Sequence, residues 1–301
     1  MEFLKKNLET IDEIKSSEIT DNVAKKVSSF YTTKPFPNYK IDDDKISISE
    51  RGNKNYLASQ FKKYAGYEKK ILEVGCGTGQ ISVYFSTGNN NLIVSLDTTF
   101  ESLKIAKNFA KKNNINNIEY VNADIFDDVL KDNYFDFIWC NGVLHHTKNP
   151  YEAFCIISKS LKKNGYILIG LYNKFGRIRT LIRKYLYKIF GKKYLKKFDP
   201  TLKKLKISED EQDAWIQDQY LHPQESSHTL DEVLKWFDIN NIEFISSVPQ
   251  CDYSAYESSD IFLKQSKGNF LTRILNQLTM IFTALGSDGG LFVVIGKKKD
   301  N

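Results

Sequence analysis

Apolar positions along the chain fall into two rhythms that alternate over most of its length. Short runs in which nearly every residue is apolar predict strands at Lys70–Val74, Asn91–Asp97, Ile118–Asp124, Phe135–Gly142 and Tyr166–Tyr172. Between them, apolar residues three and four apart predict helices. These are Ile81–Phe85, Phe100–Lys112 with Leu103, Ile105, Ala106 and Phe109 on one face, and Pro150–Leu161, stopped by Asn164 and Gly165. A further helix, Leu230–Ile239, capped by Ser227 or Thr229, precedes strands at Ile242–Val248 and Leu291–Lys298. Strands alternating with helices imply right-handed βα units and a parallel sheet. The predicted fold is therefore α/β, a Rossmann-like doubly wound sheet whose ligand lies in the crevice beyond the carboxyl ends of the strands.

The first of these strands ends in three glycines. Gly75, Gly77 and Gly79 lack Cβ at alternate positions, so the backbone can take positive φ and present its amides closely to a ligand. The helix that follows adds its free N-terminal N–H groups, and the combination predicts a pocket for an anionic or hydrogen-bond-accepting group. The spacing, Glu73 followed by G-x-G-x-G, differs from the G-x-G-x-x-G of a dinucleotide pyrophosphate site. Asp97 closes the second strand 22 residues beyond Gly75, where a carboxylate can accept both hydroxyls of a ribose. Asp124 closes the third strand, where its carboxylate and the Ile125 amide can read the amino group and ring nitrogen of adenine. Either aspartate taken alone also reads as a helix N-cap. Asn141 and Gly142 end the fourth strand and lead into VLHHTKNP.

Residues 70–173 thereby resemble the core of class I S-adenosylmethionine-dependent methyltransferases, in particular the small-molecule methylases with a VLHH stretch after the fourth strand. The resemblance implies a seven-stranded sheet, six strands parallel and the last antiparallel. It also implies S-adenosylmethionine as cofactor. The motif of Glu73, Gly75, Gly77 and Gly79 would hold the methionyl end, Asp97 the ribose, Asp124 and Ile125 the adenine, and the Asn141 backbone the amino group. LKKNGY stands where the family usually has LKPGG, a change confined to a turn. His145 and His146 follow the fourth strand, where the transferred methyl would lie, and histidine titrates in the range suited to removing a proton from a hydroxyl or ammonium acceptor. His146 is the preferred candidate base. Tyr172, with Asn173 and Arg177, is placed to reach the acceptor from the opposite wall, and Asp218, His222 and Glu225 are further candidates. No metal site is expected, because the histidines lack the usual ligand spacing.

Around this core the chain divides into an arm, residues 1–69, the core, 70–173, an insertion, 174–228, and a segment completing the sheet, 229–301, itself interrupted at 251–288. Residues 1–29 predict a helical arm. Phe30–Tyr39, with four aromatics around Pro35 and Pro37, predicts an extended segment laid over the body of the protein. The insertions leave the sheet near its edge and are expected to form helical lids.

Composition changes the picture in two respects. With 301 residues, 41% of them hydrophobic, the chain can bury a large core. Its four cysteines form no C-x-x-C pair, its amino-terminal residues carry charges throughout, and Arg273, Asn276 and Gln277 interrupt its longest apolar stretch. A soluble cytoplasmic protein is expected. Charge is more informative. Lys174–Lys206 holds thirteen Lys or Arg and one acid, a local +12 within a chain of total +6, so the remainder is net acidic. Within that segment Ile178, Leu181, Ile182, Tyr185, Leu186, Ile189 and Phe190 form one helical face opposite basic residues. Residues 177–197 could contact an anionic membrane, RNA or an acidic substrate, or pack as a lid on the core. The leading expectation is methyl transfer to a small-molecule or lipid-like acceptor. The alternatives are an RNA methyltransferase and a non-catalytic binding protein that retains the fold.

Overall fold

The computed structural model describes residues 2–33, 35–199, 202–203, 209–252, 260–282 and 289–300. Its centre is a nine-stranded sheet. In chain order the strands are β1 (Glu9–Ile11), β2 (Ile14–Ser16), β3 (Lys70–Val74), β4 (Leu92–Asp97), β5 (Ile118–Asn122), β6 (Phe135–Asn141), β7 (Leu161–Tyr172), β8 (Ile242–Val248) and β9 (Leu291–Lys298). Their order across the sheet is β1-β2-β5-β4-β3-β6-β7-β9-β8. β9 runs antiparallel to both β7 and β8, so strands β3 to β9 are the expected six parallel and one antiparallel. The order reverses between β3 and β6, which opens a crevice at the carboxyl ends of these two neighbours.

Period-two alternation sends side chains from each strand to both faces. Ile71, Ile93, Phe137 and Leu168 enter one core, beneath Phe61 of α3 (Tyr56–Ala65), Phe85 of α4 (Gln80–Ser86) and Leu103 of α5 (Phe100–Lys112). Leu72, Val94, Ile138 and Ile169 enter the other, beneath Phe154 of α6 (Pro150–Ser160) and Phe237 of α10 (Leu230–Ile239). The start of α10 is set by a capping box: the Glu232 amide donates to Thr229 Oγ1 at 3.2 Å and the Thr229 amide to Glu232 Oε2 at 3.0 Å. α1 (Asn22–Thr33) and α2 (Lys45–Lys54) complete the arm. The first insertion contains α7 (Ile178–Phe190), α8 (Lys192–Phe198) and α9 (Glu209–Ile216), and the second contains α11 (Phe270–Thr279).

Four sequence expectations are corrected. The arm is not wholly helical, because residues 9–16 form a β-hairpin that extends the sheet to nine strands, β2 pairing parallel to β5. Its turn residues, Asp12 and Glu13, take φ of 50° and 63° without a glycine to announce them, and three-residue strands are too short to display a period. Phe30 and Tyr31 belong to α1, so the extended stretch begins only after Thr33. Asn164 and Gly165 do not stop a helix: α6 ends at Ser160 and the pair lies within β7. Finally, α7 does not turn its apolar stripe to the core, since its buried residues are Thr180 and Arg183. Residues 253–259 and 283–288 of the second insertion, and the Asp218 side chain, lie outside the described residues.

Candidate active site

The glycine turn between β3 and α4 takes φ of 66°, 53° and 77° at Gly75, Gly77 and Gly79. At Gly75 a Cβ would stand 2.3 Å from Val143 Cγ2, and at Gly77 2.3 Å from the Phe36 carbonyl oxygen, so neither position has room for a side chain. The turn is tied to β4 through the Gly75 amide, which donates to the Leu96 carbonyl at 2.7 Å, and the Gly77 amide, which donates to Asp97 Oδ2 at 2.8 Å. Asp97 Oδ1 accepts from the Thr99 amide at 2.8 Å. Each carboxylate oxygen retains acceptor capacity beyond these bonds. Burial raises the Asp97 carboxyl above its ordinary value, opposed by the Thr99 and Gly77 amides.

Glu73 occupies a different layer. It points from β3 toward the α4 side of the sheet, where Ser82 donates to Oε2 and lies 2.6 Å from the Ser95 hydroxyl. Burial pushes its carboxyl up to about 8, with Ser82 acting in the opposite direction, so the group is largely protonated at neutral pH. Its principal contacts are therefore beneath the glycine turn, although it also borders the cavity.

The arm is fastened over the same turn. Thr78 Oγ1 donates to the Pro37 carbonyl, Gln80 Nε2 to the Asn38 carbonyl at 3.0 Å, and the Tyr39 hydroxyl to the Thr78 carbonyl at 3.0 Å. The Tyr39 ring stacks on Phe109 at 3.9 Å. Phe36 to Tyr39 thus cover the glycine turn, whereas Phe30 and Tyr31 pack against His222.

These parts surround one cavity of about 550 Å³. Gly75, Gly77, Asp97, Asp124, Ile125 and Asn141 all border it, which brings together the predicted residues of four successive strand ends. Gly79 is set back, facing Ala106 of α5. Asp124 caps the turn Ile125–Asp127, accepting from the Phe126 amide at 3.2 Å, so the capping and cavity readings hold together. Burial raises its carboxyl. Asn141 borders the cavity, while its Oδ1 is buried against Gly170, where a Cβ would stand, with no hydrogen-bond partner among the described residues. A glycine turn with no space for Cβ and two acidic strand ends fit the hydroxyls and amines of an adenosyl amino acid.

The cavity is also bordered by apolar side chains, Val23, Ala24, Val27 and Tyr31 of α1 and Trp215, with Val143 beside Gly75 and Phe126 beside Asp124. His146 and Tyr172 border it as well. His146 follows β6 in the short turn Leu144–His146, its Nδ1 lying 2.7 Å from the Gln224 carbonyl and its ring 3.6 Å from that of His222. A carbonyl only accepts, so Nδ1 carries the proton and Nε2 keeps its lone pair. Burial lowers the His146 pKa to about 4, against the raising effect of the Gln224 carbonyl.

Several predicted residues lie behind this wall. His145 stacks on Tyr172 at 3.9 Å, its Nδ1 accepts from the Tyr172 amide at 3.3 Å, and burial holds it well below its ordinary pKa. It does not border the cavity, because successive residues of a tight turn point apart. Arg177 does not reach an acceptor either. Its guanidinium covers the Tyr172 ring at 3.7 Å and pairs with both Glu225 oxygens, at 2.8 and 2.7 Å. Burial alone would raise the Glu225 carboxyl, and this fork holds it below the ordinary range. Asn173 is spent on the amides of Phe175 and Gly176 and on Gln277. Gln219, from the first insertion, was not singled out in the sequence. It donates to the Tyr172 hydroxyl at 3.2 Å and borders the cavity. Likewise the α1 face of Val23, Ala24, Val27 and Tyr31 carries only a packing signal in the sequence.

A doubly wound sheet with this strand order, a glycine turn at its switch point and acids on the adjoining strand ends define a class I S-adenosylmethionine-dependent methyltransferase domain. Residues 72–169 match the family model described as "Methyltransferase domain". Among curated proteins, the chain is 29% identical over 140 residues to a ubiquinone biosynthesis O-methyltransferase of Glaesserella parasuis, covering 44% of this chain and 56% of that protein. It is 24% identical over 253 residues to an uncharacterized Synechococcus protein, covering 75% of this chain and 60% of the other. The match thus spans little more than half the length of these relatives. Among solved structures, PKMT2 from Rickettsia typhi superposes with a TM-score of 0.60 at 14% identity, covering 88% of this chain and 55% of that one. Magnesium protoporphyrin IX methyltransferase from Synechocystis superposes with a TM-score of 0.52 at 9% identity, covering 92% and 100%. These two likenesses are of fold.

Proposed function

We propose that the protein transfers a methyl group from S-adenosylmethionine to the oxygen of a small acceptor with an apolar, lipid-like or aromatic body. The observation that carries this reading is one cavity bordered by Asp97, Asp124 and Asn141 as well as by His146, Tyr172 and the apolar side chains of α1. An oxygen acceptor is supported by the relatives named as O-methyltransferases. S-adenosylmethionine supplies an electrophilic methyl group on a positively charged sulfur. The chain's own residues then have three tasks: to hold the donor, to align the acceptor and to exclude water. Gly75 and Gly77, which border the cavity, would lie against the methionyl portion, Asp97 would receive the ribose hydroxyls, and Asp124 with the Ile125 amide would receive the adenine.

His146 is the base. Its Nδ1–H is held by the Gln224 carbonyl, so Nε2 is free to accept the acceptor's hydroxyl proton. Tyr172, steadied by Gln219 and Arg177, forms the facing wall. His145 acts through Tyr172, as a positioning residue. The insertion helices close this side of the cavity as a lid.

Incubation of the purified protein with methyl-labelled S-adenosylmethionine and fractionated cell extract tests the proposal. Label is expected in a small-molecule or lipid fraction and stable to conditions that cleave carboxyl esters. Label in RNA, or no label despite measurable cofactor binding, would overturn it.

A further inference from the structure

Two insertion helices are reversed relative to an ordinary amphipathic surface helix. α7 buries Thr180 and Arg183 and exposes Leu181, Ile182, Tyr185, Ile189 and Phe190, with Tyr185 66% exposed. The reversal is built in. Arg183 reaches Asp199 at 3.4 Å and Thr180 at 3.5 Å on the inner side, and Asp199 also accepts from the Tyr220 hydroxyl and the Trp215 indole. α11 repeats the pattern. It buries Asn276, which donates to the Gln250 and Cys251 carbonyls at 2.9 Å, and Gln277, which accepts from the Leu230 amide at 2.8 Å. Outward it exposes Phe270, Leu271 and Leu275, and just beyond it Phe282 is 84% exposed. Arg179 Nη1 of α7 donates to the Ile281 carbonyl, two residues beyond the end of α11, at 3.3 Å. Polar residues committed inward by hydrogen bonds keep the apolar faces outward, and apolar surface of this extent on a water-facing helix marks a docking site.

The charge identifies the occupant. Between Ile178 and Phe198 the chain has eight Lys or Arg and no acid. Lys188, Lys193 and Lys197 are exposed, whereas Lys192 is paired with Asp213 and Lys196 with Glu209. We propose that α7, α8 and α11 form a docking face by which the protein lies peripherally on an anionic lipid bilayer, apolar side chains in the acyl boundary and lysines at the headgroups. A second copy of the chain would suit this face poorly, since a two-fold contact sets the same basic segment against itself. No helix among the described residues is long and apolar enough to cross a membrane, so the face lies on the surface. α7 begins one residue after Arg177, which covers the Tyr172 ring at the cavity wall, so docking brings the Tyr172 side of the cavity beside the bilayer.

Sedimentation with vesicles tests this independently of any methyl acceptor. Vesicles of equal parts phosphatidylcholine and phosphatidylglycerol are compared with phosphatidylcholine alone, with S-adenosylmethionine titration and thermal unfolding as controls on the fold. The protein is expected to bind the anionic vesicles at least about tenfold more tightly. Joint Lys188→Glu, Lys193→Glu and Lys197→Glu substitution should weaken that binding by roughly 100-fold, at about fivefold per lysine. Joint Ile182→Asp and Ile189→Asp substitution should abolish it with cofactor affinity unchanged. No binding to anionic vesicles, equal binding to both kinds, binding unaltered by either set, self-association abolished by the aspartate pair, or RNA retention insensitive to that pair would each overturn the proposal.

Discussion

The Gly77 amide and Asp97 Oδ2 are joined by a 2.8 Å hydrogen bond that links the glycine turn after β3 to the end of β4. This bond makes Asp97 a strut of the turn, and its remaining acceptor capacity makes it a candidate acceptor for the ribose. Asp97→Ala should therefore weaken S-adenosylmethionine binding by about 100-fold or more, since hydrogen bonds to a charged group contribute about 1.5–3 kcal/mol each. Asp97→Asn should lose less, because an amide oxygen can still accept from Gly77. Isothermal titration of both variants checks the order, and parent-like affinity in Asp97→Asn would place Asp97 in the scaffold alone.

Gly77 lies beneath the arm, with the Phe36 carbonyl in the space a Cβ would need. Gly77→Val should detach the segment around Phe36 and Pro37 from the turn while leaving the sheet folded. Limited proteolysis should then cut near residues 34–40 faster than in the parent protein, with cofactor binding lost in parallel.

His146 offers a test of chemistry apart from binding. His146→Ala should lower kcat by about 10²- to 10⁴-fold with little change in S-adenosylmethionine affinity. With its pKa lowered to about 4, the parent enzyme should show no His146-dependent loss of rate between pH 8 and pH 5 and a decline only as pH approaches 4. The same shift has a stability consequence. The unfolded chain takes up this proton near 6.5 and the folded chain near 4, so stability falls with pH through that window, by about 3 kcal/mol for this group. His146→Phe should flatten that part of a denaturation-versus-pH curve.

Glu73 predicts the opposite slope. Its folded pKa, about 8, exceeds the ordinary 4.5, so the folded chain holds a proton the unfolded chain has lost. Stability is then lost as pH rises from 4.5 to 8, by up to about 5 kcal/mol. Glu73→Gln keeps the shape without an ionisable group. It should be more stable than the parent above pH 8 and similar below pH 5, measured by chemical denaturation. A lower stability at all pH values would show that the proton on Glu73 is not the controlling feature.

What the sequence by itself determined is the sheet from β3 onward and the glycine and acidic residues of the cavity. Leu291–Lys298 is legible because burial on both faces demands an apolar run, Ile242–Val248 because Ile242, Phe244 and Val248 recur at the strand period, and Gly75, Gly77, Asp97 and Asp124 because each sits at a strand end where local geometry restricts the residue type. The hairpin at residues 9–16 is illegible, since its pairing partner, β5, lies more than a hundred residues away and its own strands are too short to carry a pattern. Only the tertiary structure decided which of two adjacent histidines faces the cavity, that Arg177 is consumed by Glu225 and Tyr172, and that α7 and α11 turn their apolar faces outward. The physical reason is common to all three. Helical periodicity defines two faces without saying which is covered, and that choice is made by distant hydrogen-bond partners such as Asp199 for Arg183 and Gln224 for His146.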